Sequence, residues 1–159
     1  MLCLEWLNGC RTPLMDGSLT GAFIGLTLRH TPAHLYRALL EASAFGLRWI
    51  VELLREHGVP VKKFIATGGL PHHNPLVVAV YADVLGAPVV VHPSKHGPAL
   101  GAAILGALAA GAFSSPAAAI RAMATAKAAP VVQPNRAHRA AYDKLYRAYR
   151  QLAAAHVGR

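Results

Sequence analysis

Between Thr31 and Gly58 the sequence is punctuated as one long helix, and that element constrains most of what the chain can fold into. Thr31 is an N-cap residue, Pro32 takes the first helical position, where a missing N–H costs nothing, and Gly58 follows the last turn. Leu35, Leu39, Ala42, Phe45, Trp49 and Leu53 recur at spacings of three and four, which gathers them on one face. A helix with such a stripe must bury it, and the pattern predicts packing against a sheet.

The remaining segments alternate in period. Turn signals at Asn8-Gly9, Pro13 and Asp16-Gly17 break up the first thirty residues, leaving one β-compatible run over 22–28. Residues 62–67 predict a short strand ending in Gly68-Gly69, followed by a turn over 70–74 and a helix from Pro75 to Gly86. Residues 89–92 predict a second strand, 97–111 a small-residue helix, and 116–126 a further helix. Pro130 and Pro134 mark a connector before a final helix over about 136–155. Helices alternating with few, short strands give an α/β class, helix-rich with a small, incomplete sheet. At 159 residues the chain suits one domain over 1–159, with no separate second domain. Phe45, Trp49, Tyr81 and Leu85 are expected in its core.

Hydrophobic residues are 54% of the chain and charged residues 14%, which excludes a disordered tail. Residues 97–120 carry no charge, but Pro98, Ser114, Ser115 and Pro116 interrupt the run before it reaches bilayer length, so no membrane partner is expected. The opening MLCLEWLNGC has no basic segment before an apolar stretch, which predicts a cytoplasmic address. Cys3 and Cys10 have no second pair to complete a metal site and read as free thiols. The net charge of +9 raises nucleic-acid binding as a function. Arg136, Arg139, Arg147 and Arg150 fall near one face of the last helix, but Tyr142, Tyr146 and Tyr149 read as its packing stripe rather than as stacking platforms. A solvated basic face, and no nucleic acid, is the expectation; the same charge suits a small phosphate-bearing ligand.

The chemistry concentrates in the unit strand, Thr67-Gly68-Gly69, turn, Asn74-Pro75, helix. Paired glycines at a strand end allow positive φ and leave no side chain between the backbone and a flat ligand such as adenine or its ribose. A helix N-terminus beyond them favours anions. The same residues also have a structural reading, a Gly-Gly turn with Asn74 capping the helix at Pro75. His72 and His73 are neighbours in a turn with no carboxylate or thiolate nearby in sequence; they read as exposed loop residues, and no metal site is expected.

The run FIATGGLPHHNPLVVAVYADVLGAPVVVHPSKHGPALGAAILGALAAG resembles the nucleotide-binding lobe of the FGGY carbohydrate kinases: GG, NPL, YADVLG and ALGAA occur in that order. EWLNGCRTP, GAFIGLTL, LYRALLEASAFG, SKHGPALGAA and the closing YDKLYRAYRQL resemble the bacterial ribulokinase branch of that family. The resemblance covers nearly the whole chain and implies part of an actin-like ATPase (ribonuclease H-like) lobe. It implies ATP as the bound nucleotide, with Thr67, Gly68 and Gly69 forming the adenosine-binding turn, Leu70 beside it and Asn74 near the adenine. Residues 99–103, ALGAA, resemble the second interlobe connecting helix, which makes Gly101 a hinge candidate. Core packing alone would demand the same small residues. Two departures stand out: Arg29-His30 follows GLTL, and Cys10 follows Asn-Gly, where relatives carry other residues.

A sugar kinase also needs a general base, phosphate-cradling loops and a Mg²⁺ site. The resemblance places these, with most of the sugar site, in the N-terminal lobe and the start of the second. No Asp-x-Gly loop occurs in this sequence; Asp16 reads as a turn residue, Asp83 as a mid-helix residue with a solvated or packing role, and Asp143 as part of the last helix, so no catalytic residue is assigned. The resemblance thus implies the C-terminal, ATP-binding part of a kinase for a ketopentose such as L-ribulose, silent without the N-terminal lobe as partner and compatible with a homo-oligomer. A different class of function, a free-standing non-catalytic half-domain that binds a nucleotide or a partner protein, shares the adenosine turn but needs no other lobe.

Overall fold

The computed structural model describes residues 1–125 and 128–157. In chain order the strands are β1 (Leu2–Leu4), β2 (Ala22–Ile24), β3 (Phe64–Ala66), β4 (Val89–Val91) and β5 (Val131–Val132). The helices are α1 (Pro32–Glu56), α2 (Leu70–His73), α3 (Pro75–Leu85), α4 (Gly97–Ala109), α5 (Pro116–Met123) and α6 (Arg139–Val157), with one 3₁₀ turn at Arg136–His138. They form two compact units: Met1–Lys62, Ala79–Ala87 and Gln133–Arg159 make the first, Lys63–Val78 and Pro88–Val132 the second.

In the first unit α1 starts and stops where its punctuation predicts. Thr31 is extended, its backbone N–H donates to His34 Nδ1 at 3.1 Å, and His34 takes the place that Glu or Gln holds in a capping box. Gly58 sits at φ +79°, the left-handed conformation that ends helices. The predicted sheet beneath α1 proves to be only the antiparallel pair β1–β2, with Leu2 opposite Ile24, and α1 packs on β1 and on α6. Much of this core is therefore aromatic and helix-on-helix. Phe45 lies 5.6 to 6.2 Å, centroid to centroid, from the rings of Tyr142, Tyr146 and Tyr149. Cys3, Leu4, Trp6, Trp49, Val80 and Val84 complete it. Of the four residues expected in the core, Phe45 and Trp49 are buried, while Tyr81 and Leu85 are half-buried.

The tyrosine stripe of α6 is buried as expected, which leaves no stacking platform on it. On its basic face Arg136, Arg139 and Arg147 are exposed, as a solvated face requires, and Arg150 is half-buried. Arg139 Nε reaches Asp143 Oδ2 at 2.9 Å, and the Arg150 guanidinium lies 4.1 Å above the Trp49 ring. From α1, Arg48 donates to Asp143 at 2.7 Å and covers the Tyr146 ring at 4.2 Å. Burial pushes the Tyr146 hydroxyl up to about 12, and it donates to Glu52 at 2.6 Å. Of the solvated and packing roles open to Asp83 the structure shows packing: its buried carboxylate accepts from the Asn135 backbone N–H at 2.6 Å and from His138 Nδ1 at 2.7 Å. Both cysteines are free thiols in the core.

In the second unit β3 and β4 are parallel, with Phe64 opposite Val89, and β5 runs antiparallel to β4. Parallel neighbours need a crossover, which α2 and α3 supply. The helix α4 packs on α5, whose N-cap Ser115 Oγ accepts from Ala118 N–H at 3.2 Å.

Several boundaries differ from the sequence expectation. The β-compatible run over 22–28 shortens to β2, because Gly25 turns away at φ +81°. Residues 70–74 are not a plain turn but the short helix α2. The connector between Pro130 and Pro134 holds β5, and Pro130 O accepts the Val91 N–H at 2.8 Å; proline is tolerated there because β5 is an edge strand. The last helix begins with a 3₁₀ turn. The helix expected over 116–126 ends at Met123, and Ala126 lies outside the described residues. Among the described residues no helix is long and apolar enough to cross a membrane.

Candidate functional site

At the end of β3 the chain opens into an exposed Thr67 and then turns through Gly68 at φ +89°. A side chain there would be strained, so Gly68 is required by its backbone conformation. Gly69 is not: its backbone is helical, and a Cβ built on it would make only ordinary contact with His73, at 3.6 Å. Of the paired glycines, then, only the first uses the freedom read from the sequence.

Leu70 opens α2 and is 61% exposed, which leaves an apolar surface beside the bare backbone of the turn. Asn74 stands at the junction of α2 and α3, its N–H donating to Leu70 O at 2.9 Å and its carbonyl accepting from Val77 N–H at 3.1 Å. The structure thus sets Thr67, Gly68, Gly69 and Leu70 on one short bend, with Asn74 a helical turn further on. Such a bend offers a flat backbone edge, a hydroxyl and an apolar side chain, the features that suit a nucleoside. It carries no carboxylate.

Other residues hold this bend that spacing alone did not reveal. Gly68 N–H donates to Ser94 O at 3.3 Å, in the loop after β4. The sequence predicts His72 and His73 as exposed loop residues; His72 is instead half-buried in α2, its Nε2 donating to His92 O at 2.9 Å, while His73 is exposed. The N-terminus of α4 comes close as well: a Cβ on Gly97 would stand 2.6 Å from Thr67 Oγ1. These contacts join residues 20 or more apart in sequence, beyond the reach of helix or strand periodicity.

Gly101, the expected hinge, lies exposed on α4, with open space where a Cβ would go. Its neighbours Ala102 and Ala103 are exposed too, and Leu105 is 68% exposed. The small residues at this face are therefore not demanded by packing within the described chain. Among the described residues no group of three or more His, Cys, Asp or Glu side chains is placed to hold a metal ion. The two departures noted in the sequence lie outside this unit: His30 Nδ1 accepts from Thr27 N–H at 2.9 Å before α1, and Cys10 is buried.

Residues 1–110 match the C-terminal domain of the FGGY family of carbohydrate kinases. The chain is 46% identical over 114 residues to a ribulokinase of Bacillus licheniformis, covering 72% of this chain and 21% of that one. It is 42% identical over 156 residues to a ribulokinase of Shouchella clausii, covering 96% and 28% respectively. A xylulose kinase structure from Rhodospirillum rubrum superposes with a TM-score of 0.76 at 32% identity over 97% of this chain and 30% of that one. The chain spans about a quarter of the length of these curated relatives. The α/β lobe expected from the sequence is the fold these sugar kinases share, and on the match over 1–110 the chain belongs to the FGGY family of carbohydrate kinases.

Proposed function

We propose that this chain is the adenosine-binding part of an ATP-dependent sugar kinase whose acceptor is a ketopentose, L-ribulose foremost, acting in the cytoplasm. The observation that carries the reading is the bend after β3, where Gly68 at φ +89° exposes backbone between Thr67 and Leu70. The ribulokinase relatives support the choice of sugar. In the complete reaction the terminal phosphoryl group of ATP passes to a sugar hydroxyl, giving ADP and L-ribulose 5-phosphate. The part played by residues 1–159 is to hold the adenosine through Thr67, Gly68, Gly69, Leu70 and Asn74.

The bend itself offers no carboxylate to a Mg²⁺ ion, so in this reading the ion that accompanies ATP would be held by its phosphates and by groups outside residues 67–74. Phosphate loops, general base and sugar contacts would come from the three quarters of the family's length that this chain does not span. The exposed small-residue face around Gly101 supports close packing against such a lobe, and closure of the two would exclude water from the transfer. The chain alone is then a nucleotide binder without turnover.

Calorimetric titration with ADP, and with GDP as the control, tests the first part; a preference for ADP is expected, and equal or absent binding would sink it. Ribulose-dependent ADP release tests the second. Turnover is expected only when the chain is combined with the remaining portion of a ribulokinase such as that of Shouchella clausii, and turnover by the chain alone would mean that the catalytic groups are misassigned.

A further inference from the structure

The C-terminal side of the bend is held locally, with Gly69 O accepting from the His72 and His73 N–H groups at 3.0 and 3.1 Å, whereas Gly68 N–H bonds across to Ser94 O at 3.3 Å. What holds Ser94 therefore bears on where the Gly68 N–H stands. Ser94 N–H donates to Nδ1 of His92 at 3.1 Å, and His92 Nε2 donates to Ala124 O, at the end of α5, at 2.7 Å. These two bonds fix the ring's tautomer, because the nitrogen that accepts from a backbone N–H carries no proton and the one facing a carbonyl must carry it. His92 is also tied through its backbone, N–H to Ala66 O at 2.8 Å and carbonyl to His72 Nε2 at 2.9 Å. One residue thus joins the end of β3, α2, the loop after β4 and the end of α5.

We infer that the His92 side chain is a positioning residue for the Gly68 bend: through Ser94 it sets where the Gly68 backbone stands. The backbone bonds of His92 would survive almost any substitution, but the side-chain bonds would not. In this chain a half-buried imidazole does the holding, and its two ring bonds go to Ser94 and Ala124 rather than to residues of the bend. That the bend receives adenosine rests on the function proposed above; that His92 shapes it does not.

Amide hydrogen exchange of the whole chain tests the inference, with Gly68 read against the amides of α4 and α5 so that a general loss of stability is subtracted. In His92→Ala, exchange at Gly68 is expected to accelerate by about tenfold relative to those helices, the loss of roughly one hydrogen bond. His92→Asn offers a side-chain oxygen to the Ser94 N–H, the usual geometry of an Asx turn, and is expected to restore most of the protection. His92→Gln reaches toward Ala124 but leaves Ser94 without its acceptor, and is expected to restore little. Unchanged exchange in His92→Ala, or recovery with Gln and not with Asn, would overturn the inference. ADP titration of the same variants adds the functional arm, with about tenfold weaker binding expected in His92→Ala and recovery in His92→Asn. If the unaltered chain fails to bind ADP while the exchange pattern appears, the adenosine reading falls and the positioning role stands.

Discussion

The hydroxyl of Tyr149 donates to both oxygens of the Glu5 carboxylate, at 3.0 Å to Oε1 and 3.1 Å to Oε2, so α6 is fastened to the chain just beyond β1. The helix α1 admits that carboxylate only because Gly46 has no Cβ; one there would collide with Glu5 Oε1. Burial pushes the Glu5 carboxyl above the ordinary range, while its own backbone N–H and the Tyr149 hydroxyl pull it down.

A carboxyl raised on folding binds its proton more tightly in the native state, so its contribution favours the fold at acid pH and is lost as pH climbs from the ordinary glutamate range through the raised value. Tyr149→Phe removes one of the downward influences and is expected to destabilise by about 1–3 kcal/mol near neutrality. It also steepens that loss. Urea unfolding across pH 4 to 8 reads both effects, and Glu5→Gln should remove this part of the pH dependence.

Asp143 has the opposite sign. Burial pushes it up, but hydrogen bonds from Arg48 and Arg139 and their charges outweigh that and hold the carboxyl below the ordinary aspartate range. Its stabilisation is present above that range and is lost as pH falls through the lowered value. Asp143→Asn is expected to cost about 1–3 kcal/mol at neutral pH and nothing once the wild-type carboxyl is protonated. Unfolding curves of the two proteins should converge on acidification; a constant gap would mean that the substituted amide disrupts packing rather than charge.

Two glycines should respond in opposite directions. Gly68 has positive φ, so Gly68→Ala is expected to cost about 1–2 kcal/mol and to weaken ADP binding, although no atom stands in the way of the methyl. Gly101 lies in a helix with open space around it, so Gly101→Ala is expected to stabilise the chain by about 0.5–1 kcal/mol. Thermal melts give the two signs. On the proposed function, Gly101→Ala should lower ADP release once the rest of a kinase is supplied.

Gly97→Ala places a methyl against Thr67 Oγ1, so Thr67 must move. A double-mutant cycle with Thr67→Ala is expected to show a coupling of about 1 kcal/mol, with the second change relieving the first. Additive effects would mean that Thr67 swings aside without cost.

How much of this was legible in the sequence follows from the range of each signal. The bounds of α1 were written in Thr31, Pro32 and Gly58, and the burial of Phe45, Trp49 and the three tyrosines in their spacing. The strands β1 and β5, three and two residues long, are too short for alternation to mark them. The bend at Gly68 was visible as a glycine pair, but which glycine needs positive φ was not, because that depends on Ser94 twenty-six residues away. His92 gave no signal at all, since it looked like the last residue of a strand.

The two core cysteines carry one more consequence. Burial pushes the Cys3 thiol up to about 11 and raises Cys10 as well, so neither presents a thiolate to solvent near neutrality. An alkylating reagent can then mark a molecule only while its first unit is open. The rate of labelling at low denaturant becomes a clock for that opening, carried by the native sequence without any added dye.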